Sequence, residues 1–328
     1  MSDPGTPAYA DIEAAAERLR DVAVRTPLLS APALDELAGA RVFVKVESLQ
    51  RTGSFKFRGA YNCLSRLRED ERRRGVVCFS SGNHAQGVSA AAQLLGAPAT
   101  VVMPATAPPV KAERCRGYGA TVILHDGDRA SMVARAEKLA ADDGLALVRP
   151  FDDPAVISGQ GTVGLELAAQ LGERGAHPDA VLVPCGGGGL TAGIAIVLER
   201  EMPGVPIHTV EPEGFDDTAR SLAAGERLAV VPGGASICDA LLVPQPGTVT
   251  FPINHRLAAR GLSVTDATVR RAMAAAFTHL KIVVEPGGAV ALAAVLSGAL
   301  DLQGKTVAVI ASGGNVEPQM FAEALAAP

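Results

Sequence analysis

The chain has 328 residues, of which 48% are hydrophobic, 20% charged and 4% aromatic. This composition is typical of a soluble folded protein and excludes a disordered, collagen-like or small disulfide-stabilised chain, while the length predicts two domains with a cleft between them. Thirty Lys and Arg against 35 Asp and Glu give a formal net charge of −5, with the basic residues scattered. We therefore expect no nucleic-acid partner.

The cysteines and the N-terminal residues indicate a cytoplasmic protein. The five cysteines lie far apart in the sequence, without metal-ligand spacing, which favours reduced thiols. Residues 1–10 carry neither the basic flank nor the long apolar stretch of a signal peptide. No apolar run reaches the roughly 18 residues that a transmembrane helix needs, so we expect no membrane association.

Short β-branched segments alternate with Ala- and Leu-rich helical segments along the chain. The first such unit runs from a strand at 75–80 through a helix at 83–95 to a strand at 99–103. This alternation predicts βαβ units and a mostly parallel sheet covered on both faces. The later predicted elements are strand 120–124, helix 128–141, strand 180–184, helix 190–200, strand 205–210, helices 265–280 and 288–296, and strand 306–311.

Polar loops near predicted strand ends are the places to look for chemistry, because ligands bind there in open α/β sheets. Residues 52–59 form a glycine-flanked loop in which Phe55 and Phe57 surround Lys56 just before a helix. Desolvation at this position should lower the pKa of the lysine amine and make it a nucleophile able to form a Schiff base. The alternative is a surface lysine whose stem lies along apolar neighbours.

Two further loops carry hydroxyl and amide side chains. Residues 80–87 follow a predicted strand and open a helix, where backbone N–H groups could hold a carboxylate; Ser or Asn in such a place also serves simply as an N-cap. Residues 312–315 follow the last predicted strand, and a hydroxyl there could bond a ring nitrogen of a planar cofactor. Taken alone, this segment is a turn.

Four consecutive glycines follow the strand predicted at 180–184. Their missing side chains let successive N–H groups converge on a phosphate at the start of the next helix. The same residues satisfy the dinucleotide pattern Gly-x-Gly-x-x-Ala from Gly187 to Ala192, and Glu211 follows at the end of the next strand. An NAD-dependent oxidoreductase is therefore a rival hypothesis.

Together these loops resemble the fold-type II pyridoxal-phosphate (PLP) enzymes, in particular the threonine/serine dehydratase and serine racemase group. The resemblance covers residues 26–315 and rests on five motifs, at 53–60, 81–84, 159–162, 186–189 and 285–289. It implies an α/β fold of two open, mostly parallel domains, similar to the tryptophan synthase β subunit, with the cofactor in the cleft between them. A large PLP-binding domain would comprise 1–48 and 151–328, and a small mobile substrate-side domain 49–150, with Lys56 near the junction.

The resemblance also implies roles for individual residues. Lys56 would carry the cofactor and take the Cα proton, Phe55 would lie against the cofactor ring, and Asn83 would bond the ring 3-hydroxyl. Ser312 would meet the pyridine nitrogen. The residues expected around the phosphate are Gly186, Gly187, Gly188, Gly189 and Leu190. Those expected around the substrate carboxylate are Ser80, Ser81, Gly82, Asn83 and His84.

The activity implied is that of an ammonia-lyase, which converts L-threonine and/or L-serine to a 2-oxo acid and ammonia by β-elimination of water. Ser81 leaves an alternative open, namely a serine racemase or a 3-hydroxyaspartate dehydratase. In these enzymes the serine hydroxyl would be the acid/base on the cofactor face opposite the lysine. Phe151 favours the dehydratase, because racemases of the mammalian type carry asparagine there. A PLP-binding protein without catalytic activity is a further alternative.

A cation site and a homodimer are also implied by the resemblance. Glu211, the Phe215 carbonyl and Asp217 resemble the cation site of the racemase-like members, and hard oxygen ligands favour Mg²⁺ or Ca²⁺. The alternative is an acidic helix start, where carboxylates are favoured by the helix dipole. We expect a homodimer that takes a small amino-acid substrate.

Overall fold

A computed structural model describes residues 5–326 of the chain. Its strands are β1 (Leu28–Leu29), β2 (Arg41–Val46), β3 (Val76–Phe79), β4 (Ala99–Pro104), β5 (Thr121–His125), β6 (Ala146–Leu147), β7 (Ala180–Pro184), β8 (Ile207–Pro212), β9 (Ala258–Val264) and β10 (Thr306–Ala311).

The helices that cover these strands are α1 (Tyr9–Leu19), α2 (Pro32–Ala38), α3 (Lys56–Ser65), α4 (Glu69–Arg74), α5 (Asn83–Leu95), α6 (Pro109–Gly117), α7 (Arg129–Asp143), α8 (Pro154–Glu173), α9 (Gly189–Glu201), α10 (Asp217–Ala224), α11 (Thr250–Leu257), α12 (Asp266–Ala275), α13 (Pro286–Leu296) and α14 (Pro318–Ala326). Short 3-10 turns cover Glu47–Leu49, Arg51–Gly53 and Asp239–Leu241. A π-helical turn covers Ala276–Leu280.

The strands form two separate sheets. The larger has the order β1-β2-β10-β7-β8-β9, parallel throughout except for the β1/β2 pair. The smaller has the order β5-β4-β3-β6 and is wholly parallel. The predicted fold class, two open and mostly parallel α/β sheets, is confirmed. The four strands of the smaller sheet fall inside 49–150, while the domain boundaries themselves stay a prediction.

Helices cover both faces of the larger sheet, and this explains why its central strands are apolar without alternation. In β2, Val42 and Val44 pack into the cluster that contains α12 and α13, whereas Phe43 between them packs into the opposite cluster with α8 and α9. Successive side chains of a strand point to opposite faces, so each central strand supplies both cores. Among residues 5–326, no helix combines the length and apolarity of a membrane span.

Most predicted elements are confirmed, several with the predicted bounds. The strands at 180–184 and 306–311 and the helix at 83–95 agree with β7, β10 and α5. The predicted helix at 265–280 is confirmed as a continuous helical segment: α12 ends at Ala275, a π-helical turn continues it to Leu280, and Lys281 ends it in a left-handed conformation with φ of 60°. Several elements were not predicted from the sequence, among them β2, α8 and β9.

Candidate active site

The four polar loops meet around one cavity of about 220 Å³ at the carboxyl ends of the strands of both sheets. Every residue expected around the cofactor or the substrate carboxylate lines it. These residues are Phe55, Lys56, Ser80, Ser81, Gly82, Asn83, His84, Gly186, Gly187, Gly188, Gly189, Leu190 and Ser312. The residues expected around a cation lie elsewhere.

Lys56 is the first residue of α3 and presents its amine to the cavity. Nζ donates a hydrogen bond to the carbonyl oxygen of Pro150 at 2.7 Å and lies 5.0 Å from the centre of the Phe55 ring. No carboxylate of the described residues pairs with it. Burial, with a smaller contribution from Arg129, lowers the pKa of Lys56 to about 7. A large fraction of this amine is therefore neutral near pH 7 and able to act as a nucleophile or a base.

Glycines at the helix contacts fix the position of the α3 backbone, which carries Lys56. A Cβ on Gly159 of α8 would lie 2.5 Å from the Arg58 carbonyl oxygen, and one on Gly59 would lie 2.8 Å from the Val156 carbonyl oxygen. On the other side, a Cβ on Gly87 of α5 would lie 3.1 Å from the Lys56 carbonyl carbon. Helices α5 and α8 thus both approach α3 at backbone distance, which leaves little room for the lysine to shift.

A buried charge cluster lies behind the lysine. Arg58 donates to both carboxylate oxygens of Glu47 at 2.8 Å and to those of Glu166 at 2.7 and 3.0 Å. Lys45 donates to the same Glu166 carboxylate at 2.5 Å. Although burial alone would raise the pKa of Glu166, the neighbouring Arg58 and Lys45 lower it. The cluster balances two cations with two carboxylates and joins β2, α3 and α8.

The glycine loop (residues 186–189) leads from β7 into α9. Gly188 has φ of 86°, a left-handed conformation that favours glycine, and α9 begins at the next residue. Among the described residues, none accepts a hydrogen bond from the backbone N–H groups of 186–190. A Cβ on Gly187 would lie 2.3 Å from the Phe151 ring, so only glycine fits beneath it. Free N–H groups at a helix N-terminus form a site for an anion such as a phosphate.

Asn83 is held from both sides at the start of α5. Its Nδ2 donates to a Glu285 carboxylate oxygen at 2.6 Å, and its Oδ1 accepts from Asn315 Nδ2 at 2.7 Å. Burial is the main reason that the pKa of Glu285 rises to about 7. Sequence analysis singled out the motif at 285–289 without a role for Glu285, and the fold places this carboxyl group on the cavity.

The asparagine loop (residues 80–84) presents hydroxyl groups and a neutral histidine. Ser80 Oγ accepts from the Gly82 N–H at 3.2 Å, while the hydroxyls of Ser81 and Ser312 have no hydrogen-bond partner among the described residues. His84 Nε2 lies 2.9 Å from the carbonyl oxygen of Val148, which requires the proton to be on Nε2. Burial, and secondarily Lys56, lowers the pKa of His84 to about 3. His84 therefore anchors the loop and has no second N–H to donate.

Two cations on the cavity were missed by sequence analysis. Arg129 begins α7 and lines the cavity, and no acidic side chain in the described part of the chain pairs with it. Burial lowers its pKa. Lys111 of α6 also lines the cavity and donates to Asp239 at 2.7 Å. Their signal in the sequence is weak, because both stand in the first turns of surface helices among many other Arg and Lys residues.

The expected cation ligands form a buried acidic pair away from the cavity. Glu211 accepts hydrogen bonds from the backbone N–H groups of Thr218 and Ala219 at 2.9 and 2.8 Å, and Asp217 Oδ2 has no partner among the described residues. Burial is the main cause, and Asp217 the next, of a raised pKa at Glu211; burial also raises the pKa of Asp217 to about 7. Between them Phe215 donates its N–H to the Pro212 carbonyl.

This geometry also bears on the NAD hypothesis. A dinucleotide enzyme of that pattern needs the acidic residue after the second strand to be free for a ribose hydroxyl. Glu211 is 0% exposed, and both of its oxygens are engaged by α10. Glu211 is therefore not free to bind a ribose hydroxyl, and the dinucleotide pattern at 187–192 lacks the acidic residue that it requires.

The groups on the cavity match those of PLP. An amine of lowered pKa suits its aldehyde, a ring of unpaired N–H groups suits its phosphate, and an unpaired hydroxyl on Ser312 suits its pyridine nitrogen. Phe55 and Phe151 supply apolar surface for its ring.

Comparisons with known proteins agree with this match. The family of pyridoxal-phosphate dependent enzymes matches residues 19–313. The chain is 42% identical over 317 residues to an L-threo-3-hydroxyaspartate ammonia-lyase of a Pseudomonas species, covering 97% of this chain and 98% of that protein. The solved threonine deaminase of T.th. superposes with a TM-score of 0.90 at 43% identity, covering 95% of this chain and 99% of that one. Maize serine racemase superposes with a TM-score of 0.90 at 35% identity, covering 98% and 97%. The chain therefore belongs to the family of pyridoxal-phosphate dependent enzymes.

Proposed function

We propose that the chain is a PLP-dependent ammonia-lyase that converts L-threonine and/or L-serine to a 2-oxo acid and ammonia. The observation that carries the proposal is a lysine amine with a pKa of about 7 on the same cavity as a helix N-terminus of unpaired N–H groups. The identities to proteins named as ammonia-lyases and threonine deaminases support the same reaction class.

Each group on the cavity has a task in this reaction. PLP, when bound, withdraws electrons from the substrate Cα. The neutral Lys56 amine takes the proton from Cα, and its lowered pKa suits a base that works near pH 7. The glycine loop and Leu190 would hold the phosphate, Asn83 would bond the ring hydroxyl, and Ser312 would bond the ring nitrogen.

The substrate carboxylate would lie at the N-terminus of α5, against residues 80–84. Backbone N–H groups and the serine hydroxyls are the donors there. His84 contributes by position rather than by a hydrogen bond, because its single N–H is already donated to Val148.

A second candidate, dehydration of 3-hydroxyaspartate, is favoured by Arg129. This substrate differs from threonine by a carboxylate in place of the methyl group. An unpaired guanidinium on the cavity wall is the group that would recognise it, since Arg binds carboxylates through two parallel N–H donors. Ser81, with its free hydroxyl, is the second-face acid/base in this alternative and in the racemase alternative.

Absorbance and product assays test these proposals on the purified protein. We expect an absorbance band at about 410 nm from lysine-bound PLP, and Lys56→Ala should remove both this band and all 2-oxo acid formation. L-threonine, L-serine and L-threo-3-hydroxyaspartate are then compared by kcat/KM, with 2-oxo acid and D-amino acid both measured. A protein without the band after incubation with PLP would contradict the proposal.

Two variants separate the alternatives. Arg129→Gln should lower kcat/KM for 3-hydroxyaspartate at least about tenfold, which is the loss expected from removing one charge-assisted hydrogen-bonded pair. The kcat/KM for threonine should change little. Ser81→Ala should abolish any D-amino acid formation while elimination from the L-substrate persists. Equal losses for both substrates in Arg129→Gln would refute recognition of the second carboxylate.

We further propose that Glu211, the Phe215 carbonyl and Asp217 hold Mg²⁺ or Ca²⁺. Two buried carboxylates with raised pKa values, one of them with an oxygen that has no hydrogen-bond partner among the described residues, match a hard cation. The described residues contain no cluster of three or more His, Cys, Asp or Glu side chains, so water would complete the shell. A rise in the melting temperature with Mg²⁺ that Asp217→Asn removes tests this site. The homodimer and the cytoplasmic location stay predictions; light scattering tests the first.

A further inference from the structure

Helix α11 lies behind the glycine loop, on the side away from the cavity. Thr250 is 0% exposed and donates its hydroxyl to the Gly187 carbonyl oxygen at 2.6 Å; Asn254, 1% exposed, donates Nδ2 to the Gly188 carbonyl oxygen at 3.1 Å. Neither side chain lines the cavity. Both therefore contact the glycine loop without access to anything bound in front of it.

The planar trans peptide converts these two contacts into an orientation of the loop. Within one peptide unit the C=O and the N–H point in opposite directions. Because Thr250 holds the Gly187 carbonyl toward α11, the N–H of Gly188 in the same unit points away from α11, toward the cavity. Asn254 does the same for the N–H of Gly189 through the Gly188 carbonyl.

Without these donors the loop has few other restraints. Glycines lose more conformational freedom on folding than any other residue, and four in succession have no side chains with which to hold themselves. Among the described residues, the Gly187 carbonyl has one further donor, the Gly247 N–H, at a long 3.4 Å. The Gly188 carbonyl receives the first helical hydrogen bond of α9, from Ala192 at 2.9 Å.

Asp152 ties α11 to the segment that covers the front of the loop. Its carboxylate accepts from the N–H groups of Thr248 and Val249 at 2.8 and 2.7 Å, and from the Thr248 hydroxyl at 2.7 Å. These hydrogen bonds lower its pKa although burial opposes them. The preceding residue, Phe151, packs against Gly187. The glycine loop is thus held between Phe151 in front and α11 behind.

We propose that Thr250 and Asn254 are positioning residues that aim two N–H groups of the glycine loop at the cofactor phosphate. The proposal rests on PLP as the occupant of the cavity. It assigns the two side chains an effect on phosphate affinity rather than on the chemistry at Lys56.

The test is the dissociation constant of PLP, measured by titrating the apoprotein and following absorbance. Thr250→Val keeps the shape of the side chain and removes the hydrogen-bond donor. We expect the dissociation constant of PLP to rise about tenfold. One misdirected N–H to a charged phosphate costs about 1.4 kcal/mol of binding free energy, which corresponds to a tenfold change. Thr250→Ser keeps the hydroxyl and should stay within about twofold of wild type.

A matched control removes a buried threonine hydroxyl that has no partner. Thr209 is 0% exposed and its Oγ1 makes no hydrogen bond within the described residues, so Thr209→Val should leave PLP affinity unchanged. Phosphorus NMR gives a second readout. In wild type the bound phosphate should stay dianionic between about pH 5.5 and 8, whereas in Thr250→Val its pKa should rise by up to about one unit toward the value of about 6 of a free phosphate ester, because tenfold weaker binding of the dianion corresponds to one pKa unit.

The outcomes distinguish this inference from the proposed function. Wild-type PLP binding with an unchanged dissociation constant in Thr250→Val overturns the positioning role and leaves the enzyme assignment intact. An equal loss of affinity in Thr250→Ser, or in Thr209→Val, also overturns it, because the effect would then be one of packing. A wild-type protein that binds no PLP overturns both.

Discussion

Replacing Arg58 by methionine tests how much the buried charge cluster stabilises the protein. The side chains of Arg58 and Glu47 are 1% and 0% exposed, and four charge-assisted hydrogen bonds of 2.7 to 3.0 Å join the guanidinium to Glu47 and Glu166. Methionine keeps the apolar stem but leaves Glu47, within residues 5–326, with the Thr26 hydroxyl as its remaining side-chain donor, at 2.6 Å. Breaking one partner of a buried ion pair costs about 3–5 kcal/mol, so we expect the free energy of unfolding to fall by that amount.

Urea unfolding of the apoprotein, followed by circular dichroism, measures this change. With a slope of about 3 kcal/mol/M, the midpoint should fall by more than about 1 M. Arg73→Met is the matched control, because Arg73 pairs with Glu69 on an exposed helix and its loss should cost less than about 1 kcal/mol.

A double-mutant cycle isolates the pair itself. Glu47→Gln removes the buried charge that Arg58→Met leaves uncompensated, so the double variant should lose at least about 1 kcal/mol less than the sum of the single losses. Strictly additive losses, or a loss below about 1 kcal/mol in Arg58→Met, would refute the assignment of the cluster as a stabilising network.

Three further predictions concern the cavity. Gly187→Ala places a Cβ 2.3 Å from the Phe151 ring and should raise the dissociation constant of PLP at least about tenfold in a titration, whereas Gly172→Ala, with nothing within 4 Å, should not. The pKa of Lys56 is lowered from 10.5 to about 7 in the folded protein, so between these pH values the amine releases its proton on folding. Over that range the wild-type apoprotein should gain stability with rising pH relative to Lys56→Met. The same pH dependence of stability in both proteins would contradict the lowered pKa. Glu285 has a pKa raised from 4.5 to about 7, so wild type should lose stability as pH rises between these values, and Glu285→Gln should remove that dependence in thermal melts.

The sequence was sufficient to predict the parts of the fold whose signal is local. Strands β7 and β10 are short apolar runs ended by glycine or serine, and α5 begins at an asparagine shortly after another such run, β3. The cavity followed from the same signals, since each of the polar loops adjoins a strand end or a helix start. The resemblance then supplied the roles, which patterning alone left open between a phosphate site and a dinucleotide site.

What the sequence could not predict depends on contacts between distant residues. Helix α8 is rich in glycine, which lowers helix propensity, and it forms because those glycines pack against α3 and α9. Arg129 stands 73 residues from Lys56 in the sequence, and no motif around it indicates a functional site. It lines the cavity because β5 and α7 place it there. The side chains of Thr250 and Asn254 belong to a segment without a motif.

The glycine contacts around α3 have a consequence for how this site tolerates change. Because Gly59, Gly87 and Gly159 bring three helix backbones together at the lysine, the reactive amine is specified by residues that carry no functional group at all. A saturation library scored for cofactor attachment should therefore show depleted positions in three separate stretches of sequence that no inventory of polar side chains would nominate. Transplanting the lysine loop into another scaffold would likewise fail unless the two crossing helices were transplanted with it.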